Sequence, residues 1–245
     1  MVVRVILCAM LALPAPAVEP APSPQSLLAS IRARFHARPL PPFETYALTR
    51  SQNTATGVPD VLNSYTRRVW VRNSDRAALT RVVFRNGTDG PLEFERPAFN
   101  QARDPGPPTG DMFESPNGVS DYRVDSVETE GETVHLRISP VLNADRNRLR
   151  EVFADKHSYE LRTLIAVDTL FIGRGPVYPV TFTMTMGTAD GYPVVTAAHG
   201  AVGGGYNDDG KEVDYTFSAI AFPPALPDWY FDPRTYGQHG RDAPV

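Results

Sequence analysis

The amino-acid sequence predicts a mainly β fold of the α+β class: a curved antiparallel meander that forms an unclosed barrel packed on an N-terminal helix. Three observations support this prediction. A helical spacing of apolar residues occurs once, near the start of the folded region. From Phe43 to Phe222 the chain alternates between β-type runs and turn residues, about 8–15 residues apart. Finally, 245 residues with 42% hydrophobic content are enough to bury a substantial core in one domain.

The first 17 residues have the composition of a secretory signal peptide. Arg4 supplies a positive charge, residues 5–13 form an apolar run, and small residues end the segment at Ala17. A membrane-spanning helix needs about 20 apolar residues, and this run is about half as long. We therefore predict a signal peptide at 1–17, export to the periplasm or the extracellular space, and no integral membrane span. Lipid attachment at Cys8 and an uncleaved apolar arm stay open as alternatives.

Proline and helix-capping residues divide the chain after this leader. Alternating prolines predict an extended, proline-rich spacer at 18–24. A single domain is predicted at 25–232, and it opens with a helix at 25–37 for which Ser23 is the cap and Pro39 the stop. The apolar stripe of this helix consists of Leu27, Leu28, Ile31 and Phe35.

Strands fill the rest of the predicted domain. Alternation is clearest at 177–186, where Val180, Phe182 and Met184 face one way and threonines face the other. Turn residues delimit the other runs in the same way. The predicted strands cover residues 43–52, 62–72, 78–85, 122–129, 133–139, 177–186, 192–199 and 212–222.

Three segments are predicted to be irregular and one is ambiguous. Proline and glycine predict a long loop at 100–118, glycine predicts a second loop at 200–210, and the C-terminus is expected to be a flexible tail at 233–245. Residues 145–156 have helical spacing of apolar residues. The turn sequence Asp155–Ser158 and the strand-like residues after it favour a hairpin instead. Helix and strand both stay open for this segment.

Composition and spacing exclude several function classes. A net charge of -4 argues against a nucleic-acid partner. A single cysteine excludes a disulfide framework, and none of the five histidines has metal-ligand spacing, so we predict no metal site and no cofactor. The segment 203–209 resembles a phosphate or calcium loop. It lacks, however, the Gly-Lys-Ser/Thr of a P-loop and the first and last acidic ligands of an EF-hand.

No catalytic signature is evident in the sequence. A Gly-x-Ser-x-Gly nucleophile motif is absent, no catalytic residue is assigned, and the protein is predicted not to be an enzyme. The enzyme alternative is a periplasmic hydrolase that uses His199 or acids at strand edges. These acids are Asp168, Asp190, Glu212 and Asp214.

Aromatic and apolar residues on the predicted strands are the more informative set. Plain core packing is the simplest explanation of them. The alternative is that some line an apolar cavity between the curved sheet and the helix. The candidate ligand-lining residues are Tyr46, Tyr65, Trp70, Phe182, Met184, Tyr215 and Phe217.

Short motifs and the order of elements resemble one family. The hairpin sequence at 152–161 has the form strand–Asp-x-x-Ser–strand, and residues 213–217 followed by Phe222 look like the closing strand of the domain. With the export signal and the N-terminal helix, this pattern resembles the LolA-like superfamily of lipoprotein carriers and outer-membrane lipoprotein-sorting proteins. The resemblance implies an apolar concavity for acyl chains under a lid, which the helix or the 100–118 loop would supply.

Together these inferences predict an exported protein of the cell envelope that binds a lipid or another apolar ligand, as a lipoprotein carrier-like module. The expected partner is a lipid or an acylated protein, and the expected state is a monomer. Two alternatives stay open: the periplasmic hydrolase, and a structural envelope module without a pocket. A hollow concave face would favour a carrier, and a filled one would favour the structural module.

Overall fold

A computed structural model describes residues 22–53, 56–60, 64–85, 98–99, 108–109, 118–144, 147–171, 177–202 and 211–239. It confirms the predicted fold class, because one antiparallel sheet of eleven strands dominates the described chain. The strands are β1 (Phe43–Asn53), β2 (Tyr65–Arg72), β3 (Ala77–Arg85), β4 (Ala98–Phe99), β5 (Tyr122–Glu130), β6 (Thr133–Pro140), β7 (Leu149–Asp155), β8 (Leu161–Phe171), β9 (Val177–Ala189), β10 (Tyr192–Val202) and β11 (Glu212–Ala221).

The sheet is an unclosed meander. Its strand order is β4-β3-β2-β1-β11-β10-β9-β8-β7-β6-β5, so β4 and β5 form its two edges. The first strand lies inside the sheet because β1 pairs with β2 on one side and with the last strand, β11, on the other. The chain therefore joins its beginning and its end in the middle of the sheet.

The N-terminal helix α1 (Pro24–Phe35) forms for the reasons visible in its sequence. The Ser23 Oγ accepts a hydrogen bond from the Ser26 amide at 3.2 Å, and Pro24 occupies the first turn, where its missing N–H costs nothing. The helix ends at Phe35, two residues before the predicted end. Its buried residues are the predicted stripe of Leu27, Leu28, Ile31 and Phe35.

Register pairing aligns the inward residues of the sheet into rows. One row crosses β6 to β10 and is apolar and buried throughout. On β11, β1 and β2 the same row continues with polar side chains. In order, it contains Leu136, Val152, Leu164, Met184, Ala198, Tyr215, Arg50 and Tyr65. The helix α1 and the inward side of β6–β10 belong to one hydrophobic core, and α1 also contacts β5.

The C-terminal segment covers the outward face of β2 and β3. Its elements are a 3₁₀ turn (Asp228–Tyr230), the short helix α2 (Pro233–Tyr236) and a final 3₁₀ turn (Gly237–His239). Tyr236 is buried in a second cluster with Trp70 and Leu79. The expectation of a flexible tail at 233–245 is thus wrong for residues 233–239, because aromatic contacts hold them; residues 240–245 lie outside the described chain.

The structure also tests the ambiguous segment after residue 145 and parts of the two predicted loops. The hairpin favoured for the segment 145–156 and the residues after it is confirmed over 149–171, since β7 and β8 pair and Asp155 accepts the amide hydrogens of His157 and Ser158 in the turn. The loop expected at 200–210 is wrong for residues 200–202, because they belong to β10; residues 203–210 lie outside the described chain. Of the loop expected at 100–118, only 108–109 and Gly118 are described.

Gly200 shows how tightly the core is packed. It pairs with Phe182 on β9 and with Val213 on β11. A Cβ at this position would lie 2.5 Å from the Phe182 Cε1 and 2.9 Å from a Val213 methyl. The Phe182 ring therefore occupies the space that any side chain at residue 200 would need.

We predict that Gly200→Ala lowers the free energy of unfolding by about 1–3 kcal/mol, because the added methyl overpacks the core. Urea unfolding followed by circular dichroism measures the change. Ala201→Ser, at the next and exposed position of the same strand, serves as a control and should alter stability by less than about 0.5 kcal/mol. Equal stability of Gly200→Ala and the native protein would contradict this packing.

Candidate functional site

The concave face of β1 is the most unusual surface of the sheet. Its side chains alternate regularly, and the inward positions are buried. Their chemistry changes along the strand, from an acid at one end, through two apolar residues, to a cation and an amide at the other end. In order, they are Glu44, Tyr46, Leu48, Arg50 and Gln52. These polar groups are therefore buried on the concave face, on a strand that has neighbours on both sides.

Most predicted ligand-lining residues lie together on this concave side. They belong to the core cluster that includes α1, and their exposed fractions are all between 1% and 8%. An open cavity would leave solvent-accessible area on its lining side chains, so these residues pack against protein. The residues concerned are Tyr46, Phe182, Met184, Tyr215 and Phe217. Where it is described, the concave face is filled.

The other two predicted ligand-lining residues have different positions. Trp70 faces the opposite side of the sheet, where it contacts the Tyr230 ring at a centroid distance of 6.2 Å. Trp70 lies between the inward residues Val69 and Val71, and successive side chains of a strand point to opposite faces. Trp70 therefore does not line the concave face with the other candidates. Tyr65 faces inward but is only partly buried, next to Arg50.

Glu44 is a fully buried carboxylic acid, with 0% of its surface exposed. Burial raises its pKa from 4.5 to about 7, and hydrogen bonds from the Thr109 hydroxyl and amide oppose this rise. The Thr109 Oγ1 donates to the Glu44 Oε2 at 2.7 Å, while Oε1 has no hydrogen-bond partner. The acid also raises the pKa of neighbouring Tyr46, although burial of that phenol contributes more.

A polar network lies at the opposite end of β1. The Arg50 Nε donates to the Tyr215 hydroxyl at 3.3 Å, and its Nη2 donates to the Gln52 side chain. The Gln52 amide nitrogen in turn donates to the Asp60 carboxylate at 3.3 Å. Arg50 also lies near the faces of Tyr65 and Tyr215, at 5.8 and 5.9 Å from the ring centroids.

Two adjacent clefts open where α1 ends. They have volumes of about 460 and 310 Å³ and share Phe35, Arg38 and Pro193 in their walls. The larger continues along β8 and β9, and the smaller continues to Thr109 and Tyr192. The clefts therefore give access to the seam between the helix and the sheet.

The residues named for the hydrolase alternative do not converge on a pocket. The His199 Nδ1 lies 2.8 Å from the Asp214 Oδ1, but both side chains are about half exposed on the outward face. Asp168 pairs with Arg148 instead, Asp190 lies in the β9–β10 turn, and Glu212 is exposed on β11. Within the described ranges, no group of residues has the composition of a metal site.

Glu44, Arg50 and Arg67 are charged residues of the concave face that the sequence interpretation did not identify. The signal for Glu44 was available, because the acid is in phase with the inward Tyr46 and Leu48. Arg67 lies opposite Leu48 on β2, in a run of residues that alternates less clearly. Charged residues in strands usually face solvent, so their sequence positions alone do not identify them as inward.

We predict that Glu44 makes the protein less stable as the pH rises. Its pKa is higher in the folded state, so its stabilising contribution is complete below pH 4.5 and is lost as the pH rises through 7. This loss amounts to about 3 kcal/mol. Glu44→Gln should remove it and be the more stable protein at pH 8. Urea unfolding at intervals from pH 4 to 8 tests this, and parallel profiles of the two proteins would contradict it.

Comparison with known proteins finds similarity in structure only. No family model and no curated protein sequence matches the chain. A LolA superfamily protein from Nitrosomonas europaea is similar over 87% of this chain and 99% of its own, with a TM-score of 0.47 and 10% identity. A DUF1329 family protein from Desulfovibrio piger is similar over 86% of this chain and 97% of its own, with a TM-score of 0.46 and 10% identity.

The lipoprotein LppX from Mycobacterium tuberculosis is similar over 84% of this chain and all of its own, with a TM-score of 0.32 and 13% identity. The Nitrosomonas europaea protein belongs to the superfamily that the sequence motifs of this chain resemble.

Proposed function

We propose that this protein binds an acyl chain or another apolar ligand on the concave face of its sheet, with α1 as the movable cover. The observation that carries this proposal is the buried apolar row from Leu136 to Ala198, which extends over five strands. A short helix covers this surface with only four buried side chains. A continuous apolar surface of this kind suits a linear hydrocarbon chain.

The polar contacts of α1 are suited to opening. At its start the Gln25 side chain donates to the carbonyl oxygens of Val119 and Tyr122, at 2.9 and 3.0 Å. Near its end Arg34 pairs with Glu160, and both side chains are more than half exposed. Exposed pairs of this type contribute about 0–1 kcal/mol each, so they orient the helix without locking it.

The apolar contacts of α1 are comparable in size to those of a lipid tail. Burial of four side chains at about 2 kcal/mol each contributes about as much as burial of a dozen methylenes at about 0.8 kcal/mol each. An acyl chain of common length can therefore replace the helix on the sheet at little net cost. The filled interior of the unliganded protein is then its closed state.

A structural envelope module is the second candidate function. The observation that favours it is the same filled interior, because a protein with no ligand needs no cavity. The two candidates differ in whether α1 must leave the sheet. Mobility of the helix is therefore the property to test.

We further propose that the segment 1–17 directs export and that the mature protein acts as a monomer without catalytic activity. The described helices include none long and apolar enough to cross a membrane. The hydrolase alternative has less support, because His199 and Asp214 lie on an exposed face away from both clefts.

We predict that tethering α1 to the sheet blocks ligand uptake. The change is Arg34→Cys with Glu160→Cys in a Cys8→Ser background, joined by a bis-maleimide that contains a disulfide in its spacer. Binding of the uncharged dye N-phenyl-1-naphthylamine, measured by fluorescence, should fall at least tenfold, because the helix can no longer expose the apolar row.

Reduction of the spacer leaves both cysteines modified but frees the helix, so it is the matched control and should restore dye binding. Dye binding that is unchanged by the tether would refute α1 as the cover. Absence of dye binding in the untethered protein as well would favour the structural module.

A further inference from the structure

Arg67 is a cation on the concave face whose guanidinium has no hydrogen-bond partner among the described residues. It pairs with Leu48 across β1 and β2, in the same inward phase as Val69. Its guanidinium stacks on the Tyr65 ring at 4.0 Å from the centroid. The Arg67 Nε is buried without a hydrogen-bond partner, and no carboxylate in the described part of the chain pairs with this side chain.

Thr80 is a second unsatisfied polar group on the same patch. It is 3% exposed and pairs with Val69, which follows Arg67 by two residues on the inward face. The Thr80 Oγ1 is buried without a partner. A buried polar group that lacks a hydrogen bond costs about 1–3 kcal/mol, so two such groups on one patch need an explanation.

The charge of this patch is positive in the described structure. The guanidinium groups of Arg50 and Arg67 lie over the Tyr65 ring, at 5.8 and 4.0 Å from its centroid. The Asp60 carboxylate is connected to Arg50 through Gln52. The buried acid Glu44 lies four residues along β1 from Leu48, the cross-strand partner of Arg67, which is about 13 Å in a strand. Neither acid is placed to pair with Arg67.

We propose that this patch binds the anionic head group of an amphiphile whose apolar tail lies along the concave row. This inference rests on the proposed function and gives the ligand a chemical class: a carboxylate or phosphate attached to a hydrocarbon chain. The Arg67 guanidinium donates hydrogen bonds to the anion, as guanidinium groups do in a fork geometry that matches carboxylate and phosphate oxygens.

The cross-strand register shows how a head group at Arg67 and a tail on the apolar row can belong to one ligand. Tyr65 ends the same row that contains Met184, Leu164 and Val152. From Tyr65 this row passes Arg50 and Tyr215 and is apolar from Ala198 onward, so the tail of a ligand anchored at Arg67 reaches the apolar surface beyond these two polar side chains. A neutral lipid would fill that surface but would leave the Arg67 N–H groups unsatisfied, so the patch discriminates by charge.

The experiment compares oleate with oleyl alcohol, which share a hydrocarbon chain and differ in charge. Each displaces N-phenyl-1-naphthylamine at pH 8 from the native protein, from Arg67→Met and from Arg68→Met. Arg68 is the matched control because it is the next residue of β2 and faces outward. Arg67→Met should lower the affinity for oleate at least tenfold and leave that for oleyl alcohol unchanged. Arg68→Met should change neither.

The outcomes separate the head-group assignment from the proposed function. Equal affinity of oleate and oleyl alcohol for the native protein, with no effect of Arg67→Met, would overturn the head-group assignment and leave the binding of apolar ligands intact. Binding of neither compound would overturn both. Displacement of oleate by millimolar acetate or inorganic phosphate would show that the patch takes a free anion, which also overturns the assignment to an amphiphile. Unchanged oleyl alcohol affinity shows that Arg67→Met is folded.

Discussion

Burial of the inward face of β6–β10 is the constraint on which the other features depend. Register places apolar side chains from five strands in one continuous row, and such a surface is unstable in water unless something covers it. The stripe of α1 provides this cover. The helix cap at Ser23, the contacts of Gln25 and the pair of Arg34 with Glu160 then determine how the helix lies. Apolar burial determines where α1 lies, and these polar contacts determine its orientation there.

The two wings of the sheet differ in how they are covered. On the wing formed by β2, β3 and β4, the C-terminal segment packs on the outward face, where Trp70 and Tyr236 are buried. Aromatic contacts of Trp229 and Phe231 extend this cluster, and the pair of Arg72 with Asp228 joins it to β2. The wing formed by β6–β10 has α1 on its inward face. The short helix has fewer anchors than the C-terminal segment with its aromatic contacts, so in the proposed function the opening is at α1.

The buried polar groups of β1 to β3 are costly for a protein that only needs to fold. A desolvated acid at Glu44 and an unsatisfied hydroxyl at Thr80 both oppose folding. Apolar residues of similar size would pack there without this penalty. The concave face thus combines a long apolar surface with a few polar groups, as binding sites for amphipathic molecules do.

The sequence by itself determined the class of the fold and most of its elements, because strand alternation and helix capping are local. The stripe of α1, the alternation around Phe182 and the turn at Asp155 are all legible in short windows. The tertiary structure alone decided which residues share a face and what lies over them. The pairing of β1 with β11 and the inward phase of Arg67 depend on contacts between distant segments. The same holds for the packing of residues 233–239, because aromatic partners far away in sequence hold them.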